Sequence, residues 1–139
     1  MIYAALDNKQ VNYQSLMIEV EGKIDNQPIA ILIDSGTSHS YIKSNIIERF
    51  HLQRNKHKKS WLVQLAIGSK RKINELVKDC PIDMNGLNTK VGLNIIPLGS
   101  YDYLIGMYWL EKNHAFLDCY NKKITCLDEK GGKERFKAF

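Results

Sequence analysis

The chain has 139 residues, of which 44% are hydrophobic and 25% are charged, the composition of one ordinary globular domain. No apolar run approaches the roughly 20 residues that a membrane-spanning helix needs, and the amino terminus lacks the apolar core of a signal peptide. We therefore predict a soluble, cytoplasmic protein without a membrane partner. The three cysteines form no Cys-x-x-Cys pair and the four histidines have no metal-ligand spacing, so we expect no disulfide framework, metal or cofactor.

The net charge of +5 comes largely from two basic clusters, Arg54–Lys59 and Lys70–Lys72. Basic clusters can bind nucleic acid. No aromatic residues alternate with these lysines, however, and no nucleic-acid motif surrounds them. We interpret the clusters as a solvated loop and a solvated turn, and nucleic acid as a disfavoured partner.

The first half of the chain predicts two strands and one short helix. Residues 1–14 are polar and aperiodic, which is typical of a linker. Apolar residues then predict strands on both sides of a turn at Asn26–Pro28. Farther on, Asn45 is the expected N-cap of a short helix whose apolar residues Ile46, Ile47 and Phe50 share one side.

The second half predicts mostly strands. "WLVQLAI" and "RKINELVKD" are the expected arms of one hairpin, Asn85-Gly86 predicts a second, and a third turns near Asn121. Helical spacing returns after Gly106 for a few residues only. Because the helices are too few to connect parallel strands, the fold class is all-β, with one or two short helices. We assign the domain to residues 15–128, before a charged tail at 129–139.

The stretch "IAILIDSGTSHSYI" carries the chemistry. A buried strand ends at Asp34, and Ser35, Gly36 and Thr37 follow it. The carboxylate could simply satisfy backbone N–H groups of the turn. It could also be a phosphoryl acceptor, but that role needs strand–helix alternation, which this chain lacks. A glycine that permits close backbone approach, with hydroxyls on both sides of it, favours a catalytic carboxylate.

A single carboxylate is not sufficient for peptide hydrolysis of this kind. The reaction needs two carboxyl groups that share a proton, one acting as base on a water molecule and the other as acid on the carbonyl oxygen. The sequence contains one Asp-Ser-Gly turn. A symmetric dimer would supply the second acid, because Asp34 would then meet its own copy across the two-fold axis.

These features resemble the retropepsin-type aspartic proteases, most closely those of gypsy-type LTR retrotransposons, which lie in the Gag–Pol region. "ILIDSGTSHSYI" looks like the catalytic turn, and "VQLAIGSKRKI" looks like the flap hairpin that closes over substrate. "YLIGMYWL" is similar to the segment that threads behind the turn, and "HAFLDCYNKKITC" is similar to the closing hairpin. The four segments stand in the family's order and cover about residues 14 to 128.

The resemblance implies a single-lobe acid-protease barrel that is active as a homodimer. It implies an aspartic endopeptidase that cleaves an extended polypeptide of a retroelement polyprotein, in the cytoplasm or a virus-like particle. Asp34 is then the catalytic carboxylate, Ser35 links the two turns, and Gly36 lies against the substrate backbone in the turn that Thr37 completes. The flap tip corresponds to Ala66, Ile67, Gly68 and Ser69, and the segment behind the site to Leu104, Ile105 and Gly106.

Several residues leave alternatives open. Tyr108 stands where the gypsy pattern Gly-Met-Asp-Trp-Leu has Asp, so either its hydroxyl replaces the acid or the dimer is weaker. The alternative function is accordingly a catalytically weak or inactive module for dimerisation or peptide binding. For His39 we favour a structural role over catalysis. Trp61 could anchor the flap base or belong to the core, whereas Trp109 and Leu110 are predicted core residues.

Overall fold

The computed structural model describes residues 2–4, 17–65, 70–84, 86–96, 99–118, 120–121, 123–127 and 133–137. These residues form, in chain order, β1 (Ile2–Ala4), β2 (Met17–Ile24), β3 (Gln27–Asp34), β4 (Tyr41–Ile42), α1 (Ser44–Arg49), β5 (Asn55–Leu65), β6 (Lys70–Met84), β7 (Leu87–Ile95), β8 (Tyr103–Ile105), α2 (Met107–Lys112), β9 (Phe116–Asp118), β10 (Lys123–Leu127) and β11 (Lys133–Lys137). Neither helix is long and apolar enough to cross a membrane.

Eight strands form one sheet in the order β1-β5-β6-β2-β3-β8-β4-β7, and β7 also pairs with β6. The sheet closes on itself because β6 is long. It pairs with β5 from Lys70 to Leu76 and with β7 from Leu76 to Met84. Strands β9, β10 and β11 form a separate antiparallel sheet. The mainly β class predicted from the sequence is therefore confirmed, with two short helices.

The strand next to the candidate site is buried on both faces. Strand β3 begins with alternating exposure and ends in four consecutive buried residues, of which Ile31 and Ile33 are 0% exposed. Strand β8 pairs with it in parallel, placing Ile105 beside Ile33. On its other side β8 pairs antiparallel with β4, where Leu104 faces Tyr41. A strand flanked in this way must be apolar throughout, which explains the composition of "YLI".

Helix α1 begins two residues earlier than the sequence indicates. Lys43, in extended conformation, occupies the N-cap position without a side-chain capping bond, so the prediction that Asn45 caps the helix is wrong. The Lys43 amide donates to the Asp102 carbonyl oxygen at 3.0 Å, which sets where the chain can turn into the helix. The predicted apolar side is confirmed, since Ile46 and Ile47 are buried and Phe50 packs against the same core.

Three segments that the sequence analysis left irregular contain strands. Strand β1, within the predicted linker, pairs in parallel with the end of β5. Strand β11, within the predicted tail, pairs antiparallel with β10. The basic cluster Arg54–Lys59 enters β5 at Asn55, so its interpretation as a loop is wrong. The second cluster, Lys70–Lys72, lies in β6, so its interpretation as a turn is wrong as well. Backbone pairing with other strands orders these polar segments, and local apolar patterns do not reveal it. The domain boundaries at 15 and 128 stay a prediction.

The predicted hairpins are present. Strands β6 and β7 flank Asn85-Gly86, with Met84 opposite Leu87. Gly86 has φ +103°, and its amide donates to Asp83 Oδ1 at 2.8 Å. The β9–β10 hairpin turns at Asn121, whose amide donates to Asp118 Oδ1 at 3.1 Å. The arms of the flap hairpin are β5 and β6, and its predicted tip, Ala66–Ser69, lies outside the described residues.

The turn at Gly86 yields a test of backbone conformation alone. An added Cβ would meet nothing within 4 Å at either Gly86 or Gly92, but only Gly86 has a positive φ. We expect Gly86→Ala to lower the free energy of unfolding by about 1–2 kcal/mol, because L-residues disfavour that conformation. Gly92→Ala is the control and should change it by less than about 0.5 kcal/mol. Urea unfolding at one chain concentration measures both, and equal losses would contradict the assignment.

Candidate active site

Asp34 is the last residue of β3 and is almost completely enclosed. Its residue exposure is 2%, and the three residues before it are buried as well. It lies opposite Met17 of β2, while Ile33 before it lies beside Ile105 of β8. The apolar run that drives β3 into the core thus carries a carboxyl group to the end of a buried strand.

The turn after Asp34 holds this carboxyl group in one orientation. The Gly36 amide donates to Asp34 Oδ1 at 2.8 Å, and the Thr37 amide lies 3.4 Å from the Asp34 carbonyl oxygen. Thr37 is buried beside it. Burial raises the pKa of Asp34 above its ordinary value of 3.8, and the hydrogen bond from Gly36 opposes that shift. The site therefore holds a proton more readily than a solvated aspartate does.

The segment around Gly106 lies directly behind the turn. The Met107 amide donates to the Thr37 carbonyl oxygen at 2.7 Å, and the Tyr108 amide donates to the Ser38 carbonyl oxygen at 3.0 Å. A Cβ on Gly106 would lie 2.7 Å from the Thr37 carbonyl oxygen and closer still to that of His39. Only glycine permits this approach of two backbones. The structure thus brings Leu104, Ile105 and Gly106 together with the Asp34 turn, as the resemblance implies.

Two polar residues of this framework were missed by the sequence analysis. Ser40 is buried, and its Oγ accepts a hydrogen bond from the Gly106 amide at 3.0 Å. Asn94 of β7 is also buried, and its amide and side-chain Nδ2 both donate to the Ser40 carbonyl oxygen. Its Oδ1 lies 2.7 Å from His57 Nε2 on β5. Ser40 belongs to the hydroxyl-rich run after Asp34, which was a signal that could have identified it. Nothing in the sequence around Asn94 indicated a role.

Aromatic rings connect the turn to the base of the flap hairpin. The His39 ring lies 5.3 Å from the Trp61 ring and 5.0 Å edge-on from the Tyr108 ring, and His57 lies 4.7 Å from Trp61. Burial, and then the neighbouring His57, lower the pKa of His39 and so favour its neutral form. These contacts support a structural role for His39. Tyr108, which stands where the gypsy pattern has Asp, is 59% exposed, and its ring packs against His39.

The flap arms pack directly against the wall of the site. Val63 of β5 and Ile73 of β6 are fully buried in a cluster with Leu32, Tyr41 and Leu104. Trp61 packs against the same cluster, so it belongs both to the hairpin base and to the core. Ala66, Ile67, Gly68 and Ser69 lie outside the described residues. Trp109 and Leu110 are buried in the core, as predicted.

Chemically, the chain places one enclosed carboxyl group on a turn held by backbone hydrogen bonds. In the part of the chain that the structure describes, no three or more His, Cys, Asp and Glu side chains are grouped to hold a metal ion. A lone carboxyl group can act as acid or as base, but not as both at once. Within one chain, the site therefore offers one carboxyl group that can serve as an acid or as a base.

Comparisons with known proteins agree with this geometry. The family model described as "Retroviral aspartyl protease" matches residues 3–132. Among solved structures, the retroviral protease-like domain of Ddi1 from Leishmania major is similar, with a TM-score of 0.65 and 19% sequence identity. The match covers 88% of this chain and 94% of that domain, and at this identity it shows the shared fold alone. A search of curated proteins finds no significant match.

Gly106→Ala tests the close packing behind the turn. Its Cβ would overlap two backbone carbonyl oxygens that cannot rotate away. We expect the free energy of unfolding to fall by about 3 kcal/mol or more, at the upper end of overpacking effects. Gly92→Ala adds the same methyl group in open space and is the control. Urea unfolding measures both, and a Gly106→Ala loss as small as the control's would contradict the packing described.

Asp34→Asn tests the energetic cost of the buried carboxylate. Because the folded-state pKa of Asp34 is raised, its stabilising contribution is full below the unfolded value of 3.8 and is lost as pH rises through the folded value. Asn keeps the acceptor for the Gly36 amide and carries no charge. We expect Asp34→Asn to be more stable than the native chain at pH 7, and the gain to vanish near pH 3. Thermal unfolding across pH measures this.

The control for that experiment is Glu21→Gln, which removes an exposed carboxylate on β2. Water solvates this group in the folded and unfolded chains alike, so we expect no comparable gain at neutral pH. An Asp34→Asn chain that gains no stability between pH 3 and pH 7 would show that the site does not disfavour the ionised carboxyl group.

Proposed function

Since the chain belongs to the retroviral aspartyl protease family, we propose that it is an aspartic endopeptidase that acts as a homodimer. The observation that carries this proposal is the enclosed carboxyl group of Asp34, held by the Gly36 amide on a turn braced from behind by Gly106. A group positioned so rigidly, with a raised pKa, suits proton transfer.

The proposed mechanism uses Asp34 and the partner subunit's Asp34 as one unit that holds a single proton. The ionised carboxylate takes a proton from a water molecule, whose oxygen attacks the carbonyl carbon of the scissile peptide bond. The protonated carboxyl group gives its proton to the carbonyl oxygen, and a tetrahedral diol results. Collapse of the diol, with proton transfer to the nitrogen, breaks the C–N bond and releases an acid and an amine.

The homodimer follows from the number of acids that the site needs. One domain of this size places one carboxyl group at the turn, and two-fold symmetry places a second copy next to it. Exposed aromatic surface near the turn supports such a contact, because Tyr108 is 59% exposed and packs on His39 beside Ser38. Ser35, in the turn itself, is the residue that we expect to link the two subunits.

We further propose an extended polypeptide as substrate, bound between the Asp34 turns and the flap hairpins. Extended peptides pair through their main chain and insert alternate side chains into pockets. In this proposal, Ala66, Ile67, Gly68 and Ser69 cover the peptide, and Gly36 and Thr37 contact it from below. The order of motifs, which resembles gypsy-type elements, favours a retroelement polyprotein, processed in the cytoplasm or a virus-like particle.

A second candidate function is a dimerisation or peptide-binding module without turnover. Tyr108 favours it, because an exposed tyrosine stands where the gypsy pattern has an acid. The similar solved domain is itself described as retroviral protease-like. A stable dimer that binds peptides and leaves them intact would support this candidate, and sustained turnover would exclude it.

Asp34→Asn tests the proposed mechanism. We expect cleavage of fluorogenic peptides to fall at least about a thousandfold, because neither subunit retains an acid or a base. Native activity should be highest at acidic pH and should decline once both carboxyl groups ionise, since the pair then lacks its proton. Glu21→Gln, which removes an exposed carboxylate away from the turn, is the control and should keep full activity.

Mixing experiments test the homodimer separately. Adding excess Asp34→Asn chain to the native chain should lower activity, because mixed dimers contain one acid instead of two. Specific activity should also fall on dilution as dimers dissociate. Activity that is retained by Asp34→Asn, or that is independent of chain concentration down to the nanomolar range, would contradict a shared acid pair.

A further inference from the structure

The positive charge of the chain is concentrated on the arms of the flap hairpin. From Lys56 to Lys72 the sequence contains six Lys and Arg residues and no Asp or Glu. The rest of the chain has 14 Lys and Arg against 15 Asp and Glu, so it is nearly neutral. All six cations lie on the described parts of the arms, 56–63 and 70–72, and all six are exposed. We call these two segments the basic arms.

Strand pairing separates the cations of β6 onto two faces. The β5–β6 register is continuous from Trp61 opposite Ile73, through Leu62 opposite Lys72, to Val63 opposite Arg71. Because side chains alternate along strands, Arg71 shares a face with Val63 and Ile73, and Lys72 shares the opposite face with Leu62. Arg71 and Lys72 are therefore adjacent cations on opposite faces of the same strand.

The face that carries Arg71 is the one turned toward the candidate site. Val63 and Ile73 on this face are fully buried against Leu32, which is two residues before Asp34, and against Leu104. Arg71 follows on the same face toward the hairpin tip, where its side chain is exposed. The opposite face carries Lys72 and Leu62, which is 49% exposed.

No acid of the described chain neutralises Arg71. In the ranges that the structure describes, the ion pair near these arms joins Arg54 and Glu75 at 3.3 Å, at the base of the hairpin. An unneutralised cation on the face turned toward the candidate site attracts a complementary charge on whatever binds there. A guanidinium, moreover, binds a carboxylate through two parallel hydrogen bonds.

We propose that Arg71 is a specificity-determining residue that selects an acidic side chain in the bound peptide. The substrate class is then acidic segments of extended polypeptides, an inference that rests on the proposed peptidase function. A peptide fits the observations better than a nucleic acid does. The arms present no exposed aromatic ring for base stacking, since Trp61 is half-buried under His39 and His57.

The experiment compares peptides that differ in one charge. A library of fluorogenic octapeptides gives a lead sequence, whose side chains on either side of the cleaved bond are replaced one at a time by Glu, Gln and Lys. We expect at least one position at which Glu is preferred over Gln by about fivefold in kcat/KM, the effect of a partly solvated ion pair. The preference should shrink at 0.5 M salt.

Arg71→Glu and Lys72→Glu form the matched pair of variants. They change net charge equally, at neighbouring positions on opposite faces. Arg71→Glu should reverse the preference at that position from Glu to Lys, and Lys72→Glu should leave its order unchanged. Arg71→Gln should abolish the preference for Glu, and it serves as the second variant if the charge reversal impairs folding. Equal effects of Arg71→Glu and Lys72→Glu, or a native chain indifferent to Glu, would overturn the proposal.

Binding measurements distinguish a failure of this inference from a failure of the proposed function. Fluorescence anisotropy of the same labelled peptides on Asp34→Asn chains, with and without Arg71→Glu, needs no turnover. If the native chain cleaves nothing, the peptidase proposal fails and the binding order of Glu, Gln and Lys peptides decides the inference alone. Displacement of the acidic peptide by a single-stranded RNA, with both charge-reversal variants weakening RNA binding equally, would overturn the inference in favour of nucleic acid.

Discussion

The close contact between Gly106 and the chain after Asp34 is the constraint on which the site depends. Two backbones approach each other without a side chain between them, and the amides of Met107 and Tyr108 bond to the carbonyl oxygens of Thr37 and Ser38. Hydrogen bonds between main chains leave the turn few alternative conformations. The carboxyl group of Asp34 is therefore positioned largely by backbone geometry, with the side chains of Ser40 and Asn94 bracing the turn.

Burial of β3 and ionisation of Asp34 act against each other. The apolar residues before Asp34 stabilise the fold by leaving water, and the same packing disfavours a charge at the strand's end. A catalytic acid benefits from that conflict, because a raised pKa keeps a proton available. Catalytic sites commonly trade some stability for reactivity. Among the buried polar residues of the described chain, Asp34 is the one that can carry a charge, and the others are Thr37, Ser40 and Asn94.

Local patterns in the sequence were sufficient wherever a structure depends on neighbours along the chain. Strand β2, the Asn85-Gly86 hairpin and the apolar side of α1 were all predicted correctly, because each depends on a few consecutive residues. The cap of α1 was not, since a contact between Lys43 and Asp102, far apart in sequence, sets the start of that helix. Strand β1 was missed for the same reason, because it pairs with the remote end of β5. The strand at Arg54–Lys59 was missed because its residues are polar and its order comes from pairing with β6.

The sequence by itself determined that one acid follows a buried strand on a glycine turn, and that most of the chain forms strands. Only the tertiary structure decided that Ser40 and Asn94 brace that turn and that Arg71 and Lys72 lie on opposite faces of one hairpin. The physical reason is that the sequence gives the chemical type of each residue directly. The partners of a residue, by contrast, are determined when the sheet closes and brings strands that are remote in sequence into register.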